Sequence, residues 1–263
     1  ANPETEIGRV CMQLAMRRLL DFLAEHGLPL QIGMPLYQRY GDLALTVLRN
    51  DPYLLLEDPL YVPFPTVDQL ALALGIAPDA SLRLEAGLLH TLNHNLDNGH
   101  VFLPYSKLMD AAQRLLSAQP EDLAQCFDAL LDQRKVVREN IAGQDACYLA
   151  RLYDCEVYVA DYLLGMDGEA LCPPEDLDGL LERIQTEQGI QYAPLQAEAV
   201  KTAAQRQMLL LTGGPGTGKT TSLRGILALF DHLGLRTALT APTGRAAKRL
   251  SETCGAEAST IHR

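Results

Sequence analysis

The sequence predicts a multidomain protein of mixed α+β and α/β class, with helical and helix-plus-hairpin modules ahead of the first part of a parallel α/β domain. Three observations carry this expectation. Residues 213–221 read Gly-Gly-Pro-Gly-Thr-Gly-Lys-Thr-Thr, between an apolar run and a helical stretch. Residues 1–80 hold short helical segments separated by turns. Residues 136–149 hold two β-prone runs around Gly143, after two helical stretches.

The elements follow in order. Residues 1–80 form a helical module, with a helix over Ile7–Ala24 that includes apolar Val10, Leu14, Leu19 and Leu23. Short segments follow at Met34–Tyr40, Leu43–Arg49 and Pro52–Glu57, then Thr66–Leu74 with Thr66 as N-cap. Short helices joined by turns, twice over, suggest two helix-hairpin-helix units. The turn Asp58–Pro65 has three prolines and no glycine, so it offers few N–H groups to a phosphate. A structural or protein-contact role is favoured there over DNA clamping.

Residues 81–170 change rhythm. Helix Leu82–Asn95, strand Val101–Leu103, helices Tyr105–Leu116 and Pro120–Leu131, and strands Val136–Arg138 and Cys147–Leu149 give the order of a winged-helix module. Helix Leu152–Leu164 closes it. The second helix of the pair carries Glu121, Asp122 and Asp128, which suits a phosphate surface poorly. Asp167–Asp178, with Gly168, Pro173 and Pro174, reads as a linker. Within 171–263, helices Leu180–Gln188 and Pro194–Ala204 precede a strand at Gln207–Thr212. The glycine loop, a helix over Thr221–Leu233, strand Arg236–Thr240 and helix Arg245–Glu252 complete the order.

Composition sets the bounds. At 263 residues, 48% of them hydrophobic and 21% charged, the chain is long enough for about two packed domains. No apolar run reaches membrane-span length and no signal segment opens the chain, so a cytoplasmic location without membrane contact is expected. Cys11, Cys126, Cys147, Cys155, Cys172 and Cys254 are scattered with no C-x-x-C pair, which favours free buried thiols over disulfides or zinc. The net charge is −11, yet residues from 187 onward hold nine basic and five acidic side chains. The acidic remainder argues against a whole-surface nucleic-acid binder and is compatible with a protein partner, while a local basic track fits the C-terminal part.

The glycine loop matches G-x-x-x-x-G-K-[ST] through Gly213, Gly218, Lys219 and Thr220. A loop around a triphosphate must bring N–H groups close to oxygens. Gly213, Gly214, Gly216 and Gly218 remove the side chains that would block this approach. Thr217 and Thr221 complete the cofactor-binding set. Lys219 supplies a point charge to the β- and γ-phosphates, and the Thr220 hydroxyl suits Mg²⁺. Gln196, seventeen residues before Gly213, offers a donor and an acceptor that match adenine. Beyond the second strand, Ala241-Pro242-Thr243-Gly244-Arg245-Ala246-Ala247-Lys248-Arg249 joins a helix N-terminus to positive charge, which fits a nucleic-acid backbone. Thr260, His262 and Arg263 close the chain with further phosphate-contact candidates.

Residues 213–221, 241–250 and 260–263, in this order and spacing, resemble the RecD-like branch of superfamily 1 DNA helicases, in its extended, exodeoxyribonuclease V alpha-like form. Asp51–Leu55, Gly99–Pro104 and Tyr148-Leu149 are similar to its N-terminal region, less specifically. The resemblance implies a RecA-like motor that uses ATP and Mg²⁺ to move 5′ to 3′ on single-stranded DNA and at duplex junctions, in repair or recombination. It would place Gln196 on adenine, Lys219 on the phosphates and Thr220 on the metal. Pro242, Thr243, Arg245, Thr260 and His262 would lie near the strand, and Lys248 adds charge on the same helix. No Asp-Glu pair follows the loop, so the chain reads as part of a longer enzyme and slow or no hydrolysis is expected of it alone. A P-loop ATPase without unwinding, or a nucleotide-dependent adaptor, are the alternatives.

Overall fold

The structure is a computed structural model that describes residues 3–167, 171 and 173–262, with side chains over 12–166, 171 and 173–262. The side chains of Val10 and Cys11, and residues Gly168, Cys172 and Arg263, lie outside the described residues. Two compact units divide at Glu156/Val157.

The N-terminal unit opens with α1 (Pro3–Glu25), whose Leu19, Phe22 and Leu23 form one buried stripe at helical spacing. Gly33 opens α2 (Gly33–Tyr40) hard against α1, because a Cβ there would lie 2.8 Å from a Leu20 methyl. After α3 (Ala44–Asn50), the Asp51 carboxylate accepts the Tyr53 N–H at 3.0 Å and starts a 3₁₀ turn over Pro52–Leu56. The next helix, α4, runs Phe64–Ala73 from an N-cap at Pro63. Thr66 is therefore not the cap. Pro65 sits in the first turn, where its missing N–H costs nothing, and sets the start two residues early.

Helix α5 (Ser81–His94) leads into β1 (Phe102–Pro104), α6 (Tyr105–Leu116), α7 (Pro120–Asp132), β2 (Val136–Ile141) and β3 (Gln144–Leu149). The sheet is antiparallel in the order β1-β3-β2, with Leu103 opposite Cys147 and Val136 opposite Leu149. Both strands of the hairpin run further than the apolar residues suggest. Ala142 and Gly143 both take left-handed φ (51° and 84°), the tight turn whose twist matches the strands. α8 (Ala150–Asp167) follows.

One hydrophobic core runs from Leu19 to Leu149, and a buried ion pair crosses it. Arg83 donates to both Asp68 carboxylate oxygens, from Nε at 2.9 Å and Nη2 at 2.8 Å. Its Nη1 donates to the carbonyls of Pro78 (2.8 Å) and Leu116 (3.1 Å). The Tyr53 hydroxyl donates to Asp68 at 2.7 Å. The charge is buried, yet its hydrogen bonds are made, which is the condition for tolerating it. The arrangement ties α4, α5 and α6 together. Cys126 and Cys147 are buried free thiols, and burial pushes Cys147 up to about 12, whereas Cys155 is exposed.

The C-terminal unit contains α9 (Leu177–Gln188), α10 (Pro194–Gln205), α11 (Lys219–His232), β4 (Leu239–Ala241), α12 (Gly244–Cys254) and β5 (Ala258–Thr260). The Asp176 side chain caps α9 by accepting the Gly179 N–H at 2.9 Å. Leu180, Ile184, Val200, Ile226 and Leu229 fill the interface of α9, α10 and α11. Two strand expectations change. Gln207–Thr212 forms no strand, since among the described residues the ladder in this unit joins only β4 and β5, in parallel. Leu209 packs against the core instead, and apolar composition alone does not make a strand where no ladder forms. The strand expected at Arg236–Thr240 starts at Leu239, where pairing with Ala258 begins.

Candidate functional site

The glycine loop runs from exposed Gly213 to the N-terminus of α11, with Lys219 as the first helical residue. Gly216 and Gly218 have φ of 76° and 83°, the left-handed region that only glycine enters freely. Gly218 is also pressed from the side, because a Cβ there would meet the Gln196 carboxamide nitrogen. The Thr217 hydroxyl donates to the Gly214 carbonyl at 2.9 Å. The Lys219 ammonium arches back over the loop, donating to the Gly214 carbonyl at 2.7 Å and to that of Gly213. Thr220 is exposed one residue into the helix, and Thr221 is half-buried behind it.

This geometry fits a triphosphate. The first N–H groups of α11 have no intrahelical acceptor and the helix dipole favours an anion there. A cationic side chain already lies over the loop. A hydroxyl stands at the helix start for a hydrated Mg²⁺, which keeps most of its own waters and needs few protein ligands.

Gln196 occupies the first turn of α10, far from the loop in sequence but against Gly218 in space. Its Oε1 accepts the Ala193 N–H at 3.0 Å, half of a capping box with no side chain to complete the other half. Pro194 at the first helical position fixes the approach.

The second group of candidates assembles through the β4–β5 ladder. Ala241 lies opposite Thr260, and the Ile261 N–H donates to the Ala241 carbonyl at 3.1 Å, extending the pairing by one step. The carboxyl ends of the two parallel strands therefore present Pro242 and Thr243 beside Thr260 and His262. The Thr243 hydroxyl accepts the Ala246 N–H at 3.3 Å as the N-cap of α12. Arg245, Lys248 and Arg249 are exposed on that helix. Ligands of open α/β sheets sit at this edge.

Four residues of the site went unread in the sequence. Tyr192 is buried, its hydroxyl donating to Gln188 Oε1 at 2.9 Å and its N–H to Gln185 Oε1 at 2.8 Å. Burial raises its phenol, against a smaller opposing pull from Arg224. Ser222 is buried one turn behind Gly218 and reaches its carbonyl at 3.4 Å. Gln185 and Gln188 carry no motif. A signal was available for Ser222 alone, in its four-residue spacing from Gly218.

Comparison with known proteins covers both units. Residues 12–102 match the family described as ATP-dependent RecD2 DNA helicase HHH domain, and residues 196–263 match an AAA domain family. The chain is 29% identical to the ATP-dependent RecD2 DNA helicase of Deinococcus radiodurans over 260 residues, 94% of this chain and 36% of that relative. It is 47% identical over 64 residues to the RecBCD enzyme subunit RecD of Mycolicibacterium smegmatis, covering 22% of this chain and 12% of that subunit. The Haemophilus influenzae RecD subunit gives 47% over 60 residues, 22% of this chain and 9% of its own. The chain thus spans about a third of the length of the RecD2 helicase it matches.

Proposed function

We propose that the chain, similar over 94% of its length to a RecD2 DNA helicase, is the N-terminal and nucleotide-binding part of a RecD-like ATP-dependent DNA helicase. The observation that carries the proposal is the glycine loop closed by Lys219 and flanked by Gln196, in a unit whose strand ends also gather Pro242, Thr243, Thr260 and His262. Gly213, Gly214, Gly216, Thr217, Gly218 and Thr221 would wrap the phosphates. Lys219 would neutralise charge on them and Thr220 would hold Mg²⁺. Gln196 would face the adenine. The exposed Arg245 and Lys248, with Thr243 and His262, would hold single-stranded DNA through its backbone. ATP-driven translocation, 5′ to 3′ as in the resemblance, would then serve DNA repair or recombination in the cytoplasm.

The N-terminal region is proposed as two modules sharing the core from Leu19 to Leu149: a helix-hairpin-helix-like part over 1–80 and a winged-helix-like part over 81–170, whose last helix α8 runs across the division at Glu156/Val157. The sheet order β1-β3-β2 behind α5, α6 and α7 supports the second. A protein partner suits this unit better than DNA does. The exposed face of α7 carries Glu121, Gln125, Asp128 and Asp132, all of the wrong charge or neutral for a phosphate surface.

The test is ATP hydrolysis and strand displacement by the full-length protein, with and without single-stranded DNA. DNA-stimulated hydrolysis and unwinding, both lost in Lys219→Ala, are expected. Hydrolysis indifferent to DNA would remove the motor reading and leave a simple ATPase.

A further inference from the structure

We infer that Tyr192 is a positioning residue of the nucleotide site: by anchoring the backbone at Ala193 it locks the orientation of the Gln196 carboxamide, and so sets a preference for 6-aminopurine over 6-oxopurine triphosphates. The inference rests on the reading of Gln196 and the glycine loop as a nucleotide site.

The chain of contacts is continuous. Two side chains near the end of α9 hold Tyr192, Gln185 on its N–H and Gln188 on its hydroxyl. The Gln188 carboxamide is held in turn, its Nε2 donating to the Arg224 carbonyl of α11 at 3.4 Å. On its other side the Tyr192 hydroxyl lies over Gly225, where a Cβ would approach it to 2.5 Å, and its ring lies beside Val200 of α10. Tyr192 is thus wedged among the three helices that carry the site, and the residue after it is Ala193.

Ala193 N–H is a donor and nothing else. The Gln196 atom it meets at 3.0 Å must then be the carbonyl oxygen, and the amide nitrogen must point the other way, onto Gly218. A free carboxamide flips at little cost, and a flipped one exchanges donor for acceptor. The carbonyl oxygen has a second lone pair. Held in this orientation, it can accept from the amino group at purine C6 but opposes a carbonyl oxygen there. Loosening Ala193 releases the flip and with it the discrimination, while leaving the phosphate loop in place.

The experiment measures equilibrium binding of ATP and of inosine triphosphate to the full-length protein, by displacement of a fluorescent nucleotide without turnover. Tyr192→Phe removes one hydroxyl and is expected to reduce the ATP preference about three- to tenfold with inosine triphosphate affinity unchanged, the scale of one hydrogen bond. Gln196→Ala should abolish the preference, and Tyr192→Phe should change nothing further in that background. Gln188→Leu removes the acceptor of the same hydroxyl and should reproduce the effect if the tyrosine variant fails to fold. An unchanged ratio, an equal loss for both nucleotides, an additive loss in the double variant, or no ATP preference in the parent would each overturn the inference. Lys219→Ala separates the two levels: it should weaken both nucleotides alike, and if it weakens neither, the nucleotide-site reading itself falls.

Discussion

In the N-terminal unit Leu23, Leu48, Leu55, Leu88, Leu108, Leu123 and Leu130 are fully buried in one core, while Leu14, Leu30 and Leu43 stay exposed. In the C-terminal unit Leu210 and Leu235 are 77% and 53% exposed, and a cavity of about 840 Å³ opens between the 207–211 run and α11. The first unit spends its sequence on a closed core and puts acidic side chains outside. The second keeps its informative residues on loops at helix and strand ends, where backbone groups are free to meet a ligand. Stability and chemistry are therefore separable here, and substitutions should divide the same way.

The sharpest division comes from the buried ion pair. Arg83→Met removes four hydrogen bonds and leaves the Asp68 carboxylate without its counter-charge. A loss of about 3–5 kcal/mol is expected in denaturant unfolding of the N-terminal unit. Nucleotide affinity should not change, and its loss alongside the fold would break the separation of the two units. The opposite case is Lys219→Ala, which should lower triphosphate affinity or turnover by about 10²-fold with no change in the unfolding midpoint.

These two cases also mark what could be read in advance. The glycine loop was legible because its requirements are local: no side chains, left-handed backbone, one cation, one hydroxyl. Gln196 was legible by its distance from that loop, and the structure puts it on Gly218. The helices of the N-terminal unit followed from apolar spacing, and the hairpin from Gly143. Strands in the C-terminal unit were legible only in part, β4 at the end of the expected Arg236–Thr240, because pairing depends on neighbours distant in sequence. Gln207–Thr212 has the composition of a strand and enters no ladder among the described residues, while Ala258–Thr260 has an undistinguished composition and pairs with β4. Arg83 and Tyr192 were missed for a related reason. Their partners, Asp68 and Leu116 for one and Gln185 and Gln188 for the other, are set by helix packing rather than by a repeating pattern.

Two smaller effects sharpen the contrast. Gly87 lies where α5 meets α6, and a Cβ there would approach the Leu116 methyls to 2.5 and 2.7 Å. Leucine methyls can shift, but the core around them is closed, so Gly87→Ala should cost about 1–3 kcal/mol by overpacking. In the C-terminal unit the comparable substitution is at an exposed helix end. Thr243→Ala deletes the cap of α12 and should cost about 1 kcal/mol, with a loss of single-stranded DNA affinity that the Gly87 variant does not share.

The smallest effect is a pH dependence confined to the N-terminal unit. His90 is half-buried, its ring stacked on Phe64 with centroids 4.6 Å apart and on His94 at 6.0 Å. Burial, and then the neighbouring His94, hold it below the ordinary histidine range. The folded state therefore resists a proton that the unfolded chain accepts near pH 6.5. The resulting stability is complete above that pH. It falls as pH drops through it and levels off below the depressed folded value, the reverse of a histidine held by a carboxylate. His90→Phe keeps a ring against Phe64 and cannot titrate. The unfolding midpoint of the native protein should drop relative to this variant between about pH 7 and pH 5, and a constant offset across that window would show that the stack, not the proton, decides the stability at this position.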